Sequence, residues 1–237
     1  MLLLAIDTTT TVCSVALGDE EKIWGEYSLN LKRTHSQQLM PIIVSLFHET
    51  RIEKEMLQGI AVTIGPGSFT GIRIGMATAM GLAQGLGISL VGVMTLDALA
   101  EAGACYPVLI CPLLDARKDQ VYTALYRGGE VKTRMVEPAS AFFADDLLRR
   151  LEAYEEKILF LGDPLEKIRE KFKLSLGQKY LELPYSLSTN RASLVLRKGI
   201  RNWNEKGVES LYALRPFYLR LPEAERRLEK RMEGEQE

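Results

Sequence analysis

Residues 65–83 read GPGSFTGIRIGMATAMGLA. This stretch follows an apolar, β-branched run predicted as a strand over 59–64 and opens a helix predicted over 69–86. A glycine-rich loop between strand and helix points backbone N–H groups at the helix start, where an anion can sit. It is not a Walker loop, because no Gly-Lys-Ser/Thr follows. Beyond the loop, Gly67, Gly71, Gly75, Ala79 and Ala83 recur every four residues and share one face. Interior glycines cost a helix about 1 kcal/mol each relative to alanine. Such a face asks for a backbone that approaches closely, either the chain's own sheet or a helix of a partner.

Upstream, residues 2–6, 12–17 and 23–28 predict a three-stranded meander. A helix is predicted over 35–50, with Thr34 and Gln37 at capping-box spacing, Leu39, Ile42, Ile43 and Leu46 at helical intervals, and a kink at Pro41. Downstream come a strand over 89–93 and a helix over 95–102, giving β-β-β-α-β-α-β-α. A similar order then restarts. Strands over 108–114, 120–126 and 130–136 surround a Gly128-Gly129 turn, a helix spans 140–153, strands at 158–161 and 180–183 flank a helix over 164–172, and a last helix runs over 191–204. No residue-level repeat accompanies this duplication. Residues 222–237 are almost all charged and read as a solvated end.

The chain has 237 residues, enough for two lobes each with a core. Lys and Arg number 30 against 31 Asp and Glu, without the basic excess that non-specific phosphate binding needs. Cys13, Cys105 and Cys111 form no CxxC pair and no even set, which suits a reducing compartment. The start MLLLAIDTTT lacks a signal peptide's basic region, and no apolar run approaches the roughly 20 residues of a membrane helix. A cytoplasmic protein is expected, with no membrane partner.

Asp7-Thr8-Thr9-Thr10 closes the first strand in a tight turn that could hold phosphate or magnesium, or simply cap itself through side-chain to backbone bonds. Asp115 to Asp119 occupies the matching place in the second half, but Arg117 and Lys118 would crowd a phosphate-hugging loop. His35 and His48 lie thirteen apart with no HxxxH or HExxH pairing, and Ser14 and Ser68 have no evident acid–base relay. No metal site and no catalytic residue are expected.

Taken together, AIDTTTTVCSVAL (5–17), HSQQLMPII (35–43), the 65–83 segment, LDARKDQVYTALY (114–126) and PFYLR (216–220) resemble the bacterial threonylcarbamoyladenosine biosynthesis family TsaB. That family is related to the catalytic TsaD subunit within the actin- and hexokinase-like ATPase superfamily. The resemblance implies an α/β protein of two ribonuclease-H-like lobes, drawn here at 1–104 and 105–237, with the last helix and tail able to pack back on the first lobe. It implies a non-catalytic scaffold subunit that binds a TsaD-like paralogue. With a small ATPase, that assembly transfers a threonylcarbamoyl group to a tRNA adenosine, so tRNA is met indirectly. TsaD-like chains hold their metal with HxxxH, whereas here Leu39 stands four residues after His35. No cofactor is expected, and Asp7, Thr8, Gly65 and Gly67 remain inherited phosphate-site candidates.

The resemblance also places the partner contact on the helices over 35–50 and 69–86. Its candidates are Leu39, Ile43 and Leu46 on the first and Gly71, Ile72, Gly75, Met76 and Ala79 on the second, with a homodimer through the same face when the chain is alone. Two alternatives stand beside it: an autonomous kinase-like phosphotransferase using Asp7 and Asp115 with magnesium-ATP, and a protease acting on its paralogue.

Overall fold

Strand β1 (Leu3–Asp7) is buried at every position, as a strand covered on both faces must be. In the computed structural model, which describes residues 1–129, 132–163, 165–208, 210 and 213–220, β1 is the centre of a five-stranded sheet. It runs antiparallel to β2 (Cys13–Gly18), which pairs in turn with β3 (Ile23–Leu29). Helix α1 (His35–Thr50) leads to β4 (Gly59–Gly65), parallel to β1, and α2 (Phe69–Leu86) leads to β5 (Ser89–Met94), parallel to β4. The spatial order is β3-β2-β1-β4-β5.

After α3 (Thr95–Ala100) the scheme repeats with β6 (Leu109–Asp115), β7 (Gln120–Arg127), β8 (Arg134–Phe143), α4 (Ala144–Glu152), β9 (Ile158–Leu161), α5 (Leu165–Leu176) and β10 (Tyr180–Glu182). The second sheet is ordered β8-β7-β6-β9-β10, matching the first strand for strand. This duplicated arrangement is an α/β fold of two ribonuclease-H-like lobes. Short α6 (Tyr185–Ser188) and long α7 (Ala192–Lys206) complete the elements.

Period-2 alternation along β1 assigns its two faces. Leu4 and Ile6 join a core with Leu39, Ile43 and Leu46 of α1 and Ile72, Met76 and Ala79 of α2. Leu3 and Ala5 join the opposite core, built with α7. Helix α7 can lie close because small residues line the contact: a Cβ on Gly199 would press into the Ala61 methyl, and Trp203 covers Gly59.

Charged and polar groups also join the two lobes. Glu101, just after α3, is buried and accepts from Arg201 Nη1 at 2.7 Å and from Thr133 Oγ1 at 3.0 Å, with Arg197 Nε 3.6 Å from its other oxygen. Tyr126 of β7 donates to Asp97 of α3 at 2.7 Å; burial, then Asp97, raises its phenol pKa well above the ordinary range. A buried carboxylate is tolerable here because two guanidinium groups face it.

Several expectations change. Thr34 makes no side-chain cap on α1; its hydroxyl pairs with Ser36 instead, so the capping box is not formed. The strand expected over 130–136 runs over Arg134–Phe143, and the helix expected from Ser140 begins at Ala144. The expected solvated end at 222–237 lies outside the described residues. Among the described residues no helix is long and apolar enough to cross a membrane.

Candidate functional site

Both oxygens of the Asp7 carboxylate are taken by neutral donors. Oδ1 accepts from Thr9 N at 2.9 Å, Thr9 Oγ1 at 2.6 Å and Thr63 Oγ1 at 2.9 Å, and Oδ2 accepts from Asn190 Nδ2 at 3.1 Å. Asp7 is 1% exposed. Its carboxylate thus staples the first turn to β4 and to the loop before α7. Of the two alternatives for this turn, the self-capping one is what the hydrogen bonds form.

The glycine face of α2 is filled by the same turn. Thr8 Oγ1 donates to Gly71 O at 2.7 Å, and Ser68 N donates to Thr9 O at 2.7 Å. A Cβ on Gly71 would overlap the Thr8 carbonyl oxygen, one on Gly75 the Thr8 hydroxyl, and one on Gly67 the Thr9 carbonyl oxygen. The close backbone that the stripe demanded belongs to this chain. Gly65, at φ 118°, faces the Phe217 carbonyl, and Phe217 N donates to Ile64 O at 2.7 Å. The four inherited phosphate candidates Asp7, Thr8, Gly65 and Gly67 are therefore packed against protein groups.

Between the lobes lies a cleft of about 1100 Å³. Of those four candidates only Gly67 lines it. His35 sits on its wall with Nε2 2.9 Å from Thr10 O, and Asp163 on the opposite wall has a buried, unpartnered Oδ1. Burial first, then Asp7 and Glu166, raises the Asp163 pKa. Asp115 lines the cleft too, but accepts from Arg117 N in the hairpin turn, where residues 117–119 all have positive φ. Asp7 and Asp115 thus do not converge on one open position as a magnesium-nucleotide pair would. Neither histidine is hydrogen-bonded to a serine or cysteine, and no cluster of three His, Cys, Asp or Glu suited to a metal exists among the described residues.

All eight residues expected at a partner interface are buried in the isolated chain: Leu39, Ile43, Leu46, Gly71, Ile72, Gly75, Met76 and Ala79. This corrects their assignment as contact residues. Apolar helical periodicity marks the side a helix turns to its own sheet, and these eight are that side. The outward sides are different. On α1, Met40 is 41% and Val44 61% exposed. On α2, Ala77, Gly81 and Gly85 are exposed, and a Cβ at Gly81 or Gly85 would meet nothing within 4 Å.

Sequence reading missed three residues that the fold brings in. Asn190 reaches Asp7 across 183 positions, and Asp163 reaches the cleft from the β9–α5 loop. Arg73 is stacked over Phe69 at 3.8 Å and bonded through Nε to the Tyr218 hydroxyl at 3.0 Å. Only the last left a local trace, as the sole arginine in a helix otherwise free of charge.

The family model for TsaD, tRNA N6-adenosine threonylcarbamoyltransferase, matches residues 23–228. The tRNA threonylcarbamoyladenosine biosynthesis protein TsaB of Bacillus subtilis is 35% identical over 225 residues, which cover 95% of this chain and 96% of that one. The chain belongs to the TsaB family. Escherichia coli TsaB is 36% identical over 135 residues, 55% of this chain and 57% of its own. A solved structure from Pseudomonas aeruginosa, described as similar to peptidase YeaZ, superposes with a TM-score of 0.79 at 26% identity, covering 92% of this chain and 99% of that one. TsaB membership puts the chain in tRNA threonylcarbamoyladenosine biosynthesis.

Proposed function

We propose that this chain is a non-catalytic subunit that docks a TsaD-like paralogue and supports its threonylcarbamoyl transfer to tRNA adenosine. The observation that carries the docking surface is the pair Gly81 and Gly85. Both lie in a long helix, where an interior glycine costs about 1 kcal/mol, and among the described residues neither has a neighbour that requires the missing side chain. Helix α1 packs beside α2 and contributes Met40 and Val44 to the same exterior. Small residues on one helix beside apolar ones on the next suit the close seating of another chain's helices.

A non-catalytic role is supported by two local facts. Asp7 is enclosed by neutral donors, and Leu39, standing where the resemblance calls for a second metal histidine, is 1% exposed in the first core. The same outer face would pair two copies of the chain when the paralogue is absent. Three free thiols and a tRNA pathway fit a cytoplasmic setting.

Co-purification with the paralogue tests the reading. Gly81→Leu should abolish the complex while leaving the isolated chain's circular dichroism unchanged and its Tm no lower, because the new side chain meets no described residue and leucine favours the helix over glycine. An undiminished complex would refute the assignment of this face.

A further inference from the structure

Charges nearly balance over the whole chain, but the cleft between the lobes is basic. Lys32 and Arg33 line it from the loop before α1, Arg117 and Lys118 from the β6–β7 turn, and Arg220 from the PFYLR segment, against three carboxylates. Elsewhere, Arg127, Arg150 and Arg169 are neutralised by Glu156, Glu137 and Glu182. Lys32, Arg33, Arg117 and Arg220 make no ion pair with any described residue, and Arg220 is anchored instead on Ala116 O at 2.8 Å. Flat surface accompanies these cations. Tyr185 is 62% and Phe217 37% exposed on the same lining, and the Phe69–Tyr218 pair, 4.9 Å between centroids, forms a further platform. Two buried polar atoms on the walls, His35 Nδ1 and Asp163 Oδ1, have no partner among the described residues.

We propose that the cleft holds a single-stranded segment of RNA, with its phosphates on the basic rim and its bases on the exposed rings. Unpaired strands are held in this way by proteins that read them, and base edges supply the donors and acceptors that buried polar atoms require. TsaB membership puts the chain in a tRNA pathway, and a tRNA offers unpaired strands in its loops. A nucleoside triphosphate suits the cleft less well. Gly67 and Gly71 are closed by the Thr8–Thr9 turn, and among the described residues no metal-binding cluster accompanies them. The cations are spread over both lobes, which matches a run of phosphates rather than one terminal group. An acidic peptide would use the cations and leave the rings idle. This subunit would then touch tRNA directly, on a surface separate from the docking face of α2.

The test is fluorescence anisotropy of the full chain with a labelled, unpaired oligoribonucleotide of about ten nucleotides. Arg33→Glu and Arg117→Glu should each raise Kd about tenfold, and Tyr185→Ala should do the same by removing a stacking platform. All three side chains are exposed, so circular dichroism should not change. Lys54→Glu, at an exposed cation away from the cleft, should keep Kd within about twofold. A plot of log Kd against log salt should rise with a slope of about 3, as neutralising about four phosphates of a single strand gives. No saturable binding up to about 100 μM chain, or a Kd that both arginine reversals leave within about twofold, would overturn the proposal. Equal affinity for polyglutamate with no effect of Tyr185→Ala would assign the cleft to an acidic peptide, and tighter binding of magnesium-ATP than of the oligoribonucleotide would assign it to a free nucleotide; either result overturns it too. Because binding is read on the chain alone, failure of the docking face would leave this inference standing.

Discussion

The glycines of α2 divide into two sets whose alanine substitutions should move stability in opposite directions. At Gly81 and Gly85 an added methyl meets nothing within 4 Å, so only the helix propensity changes. Gly81→Ala should then stabilise the folded chain by about 1 kcal/mol, and Gly85→Ala, one residue from the end of the helix, by less. The pair together should raise Tm by about 2–6 °C for a chain of this size. Gly71→Ala instead places a methyl into the Thr8 carbonyl oxygen, with Thr8 C only 3.1 Å away. That carbonyl belongs to the backbone and cannot swing aside as a side chain could. The turn would have to retreat, loosening the Thr8 to Gly71 and Ser68 to Thr9 bonds, at a net cost on the order of 3 kcal/mol. Gly75→Ala meets the Thr8 hydroxyl, which can rotate by giving up its bond to Gly71, so its cost should be smaller. Thermal unfolding followed by circular dichroism, repeated over a dilution series so that self-association is held constant, reads all four. A lower Tm for Gly81→Ala and Gly85→Ala in the dilute chain would refute the claim that these glycines have no intrachain role. A neutral Gly71→Ala would refute the tight seating of the turn.

Three further outcomes are expected. Burial pushes the Cys111 thiol up to about 12 and the Cys13 thiol to about 11, while Cys105 is exposed, so a thiol reagent should label one cysteine quickly in the native protein and three after unfolding. Because the Asp163 carboxyl titrates above its unfolded value, the folded state binds more protons in that window and loses stability as pH rises through it. Asp163→Asn should accordingly raise Tm at neutral pH, with a benefit that shrinks towards pH 4 when measured across a buffer series. Glu101→Gln removes the buried carboxylate that Arg201 and Arg197 face; urea unfolding should show a loss of about 2 kcal/mol, moderated because Arg197 is 41% exposed.

How much of this was legible in the sequence varied with the range of the interactions involved. The boundaries of α2 are written locally: Ser68 caps its start by accepting from Gly71 N, and Gly87 ends it in a left-handed conformation. The duplicated order of elements was readable for the same reason. Strand β8 was not. Pro138 reads as a breaker, but β8 is an edge strand whose ladder skips it, pairing Thr123 with Ser140 and Leu125 with Glu137. The four-residue recurrence of small side chains was plain, yet its meaning depended on which backbone came near. Position by position, Thr8 and Thr9 fill Gly67, Gly71 and Gly75, and none of the described residues fills Gly81 or Gly85. Asn190 bonding to Asp7 rests on a chain reversal that no local pattern encodes.

The Glu101 cluster gives the molecule the character of a lever. Helix α3, helix α7 and the second sheet meet at one carboxylate and one tyrosine hydroxyl, so a load applied to the first lobe is transmitted to the second with little slack. Any sliding of one sheet past the other would have to break the Glu101 and Tyr126 bonds first, so these two buried groups are where relative motion of the lobes would register.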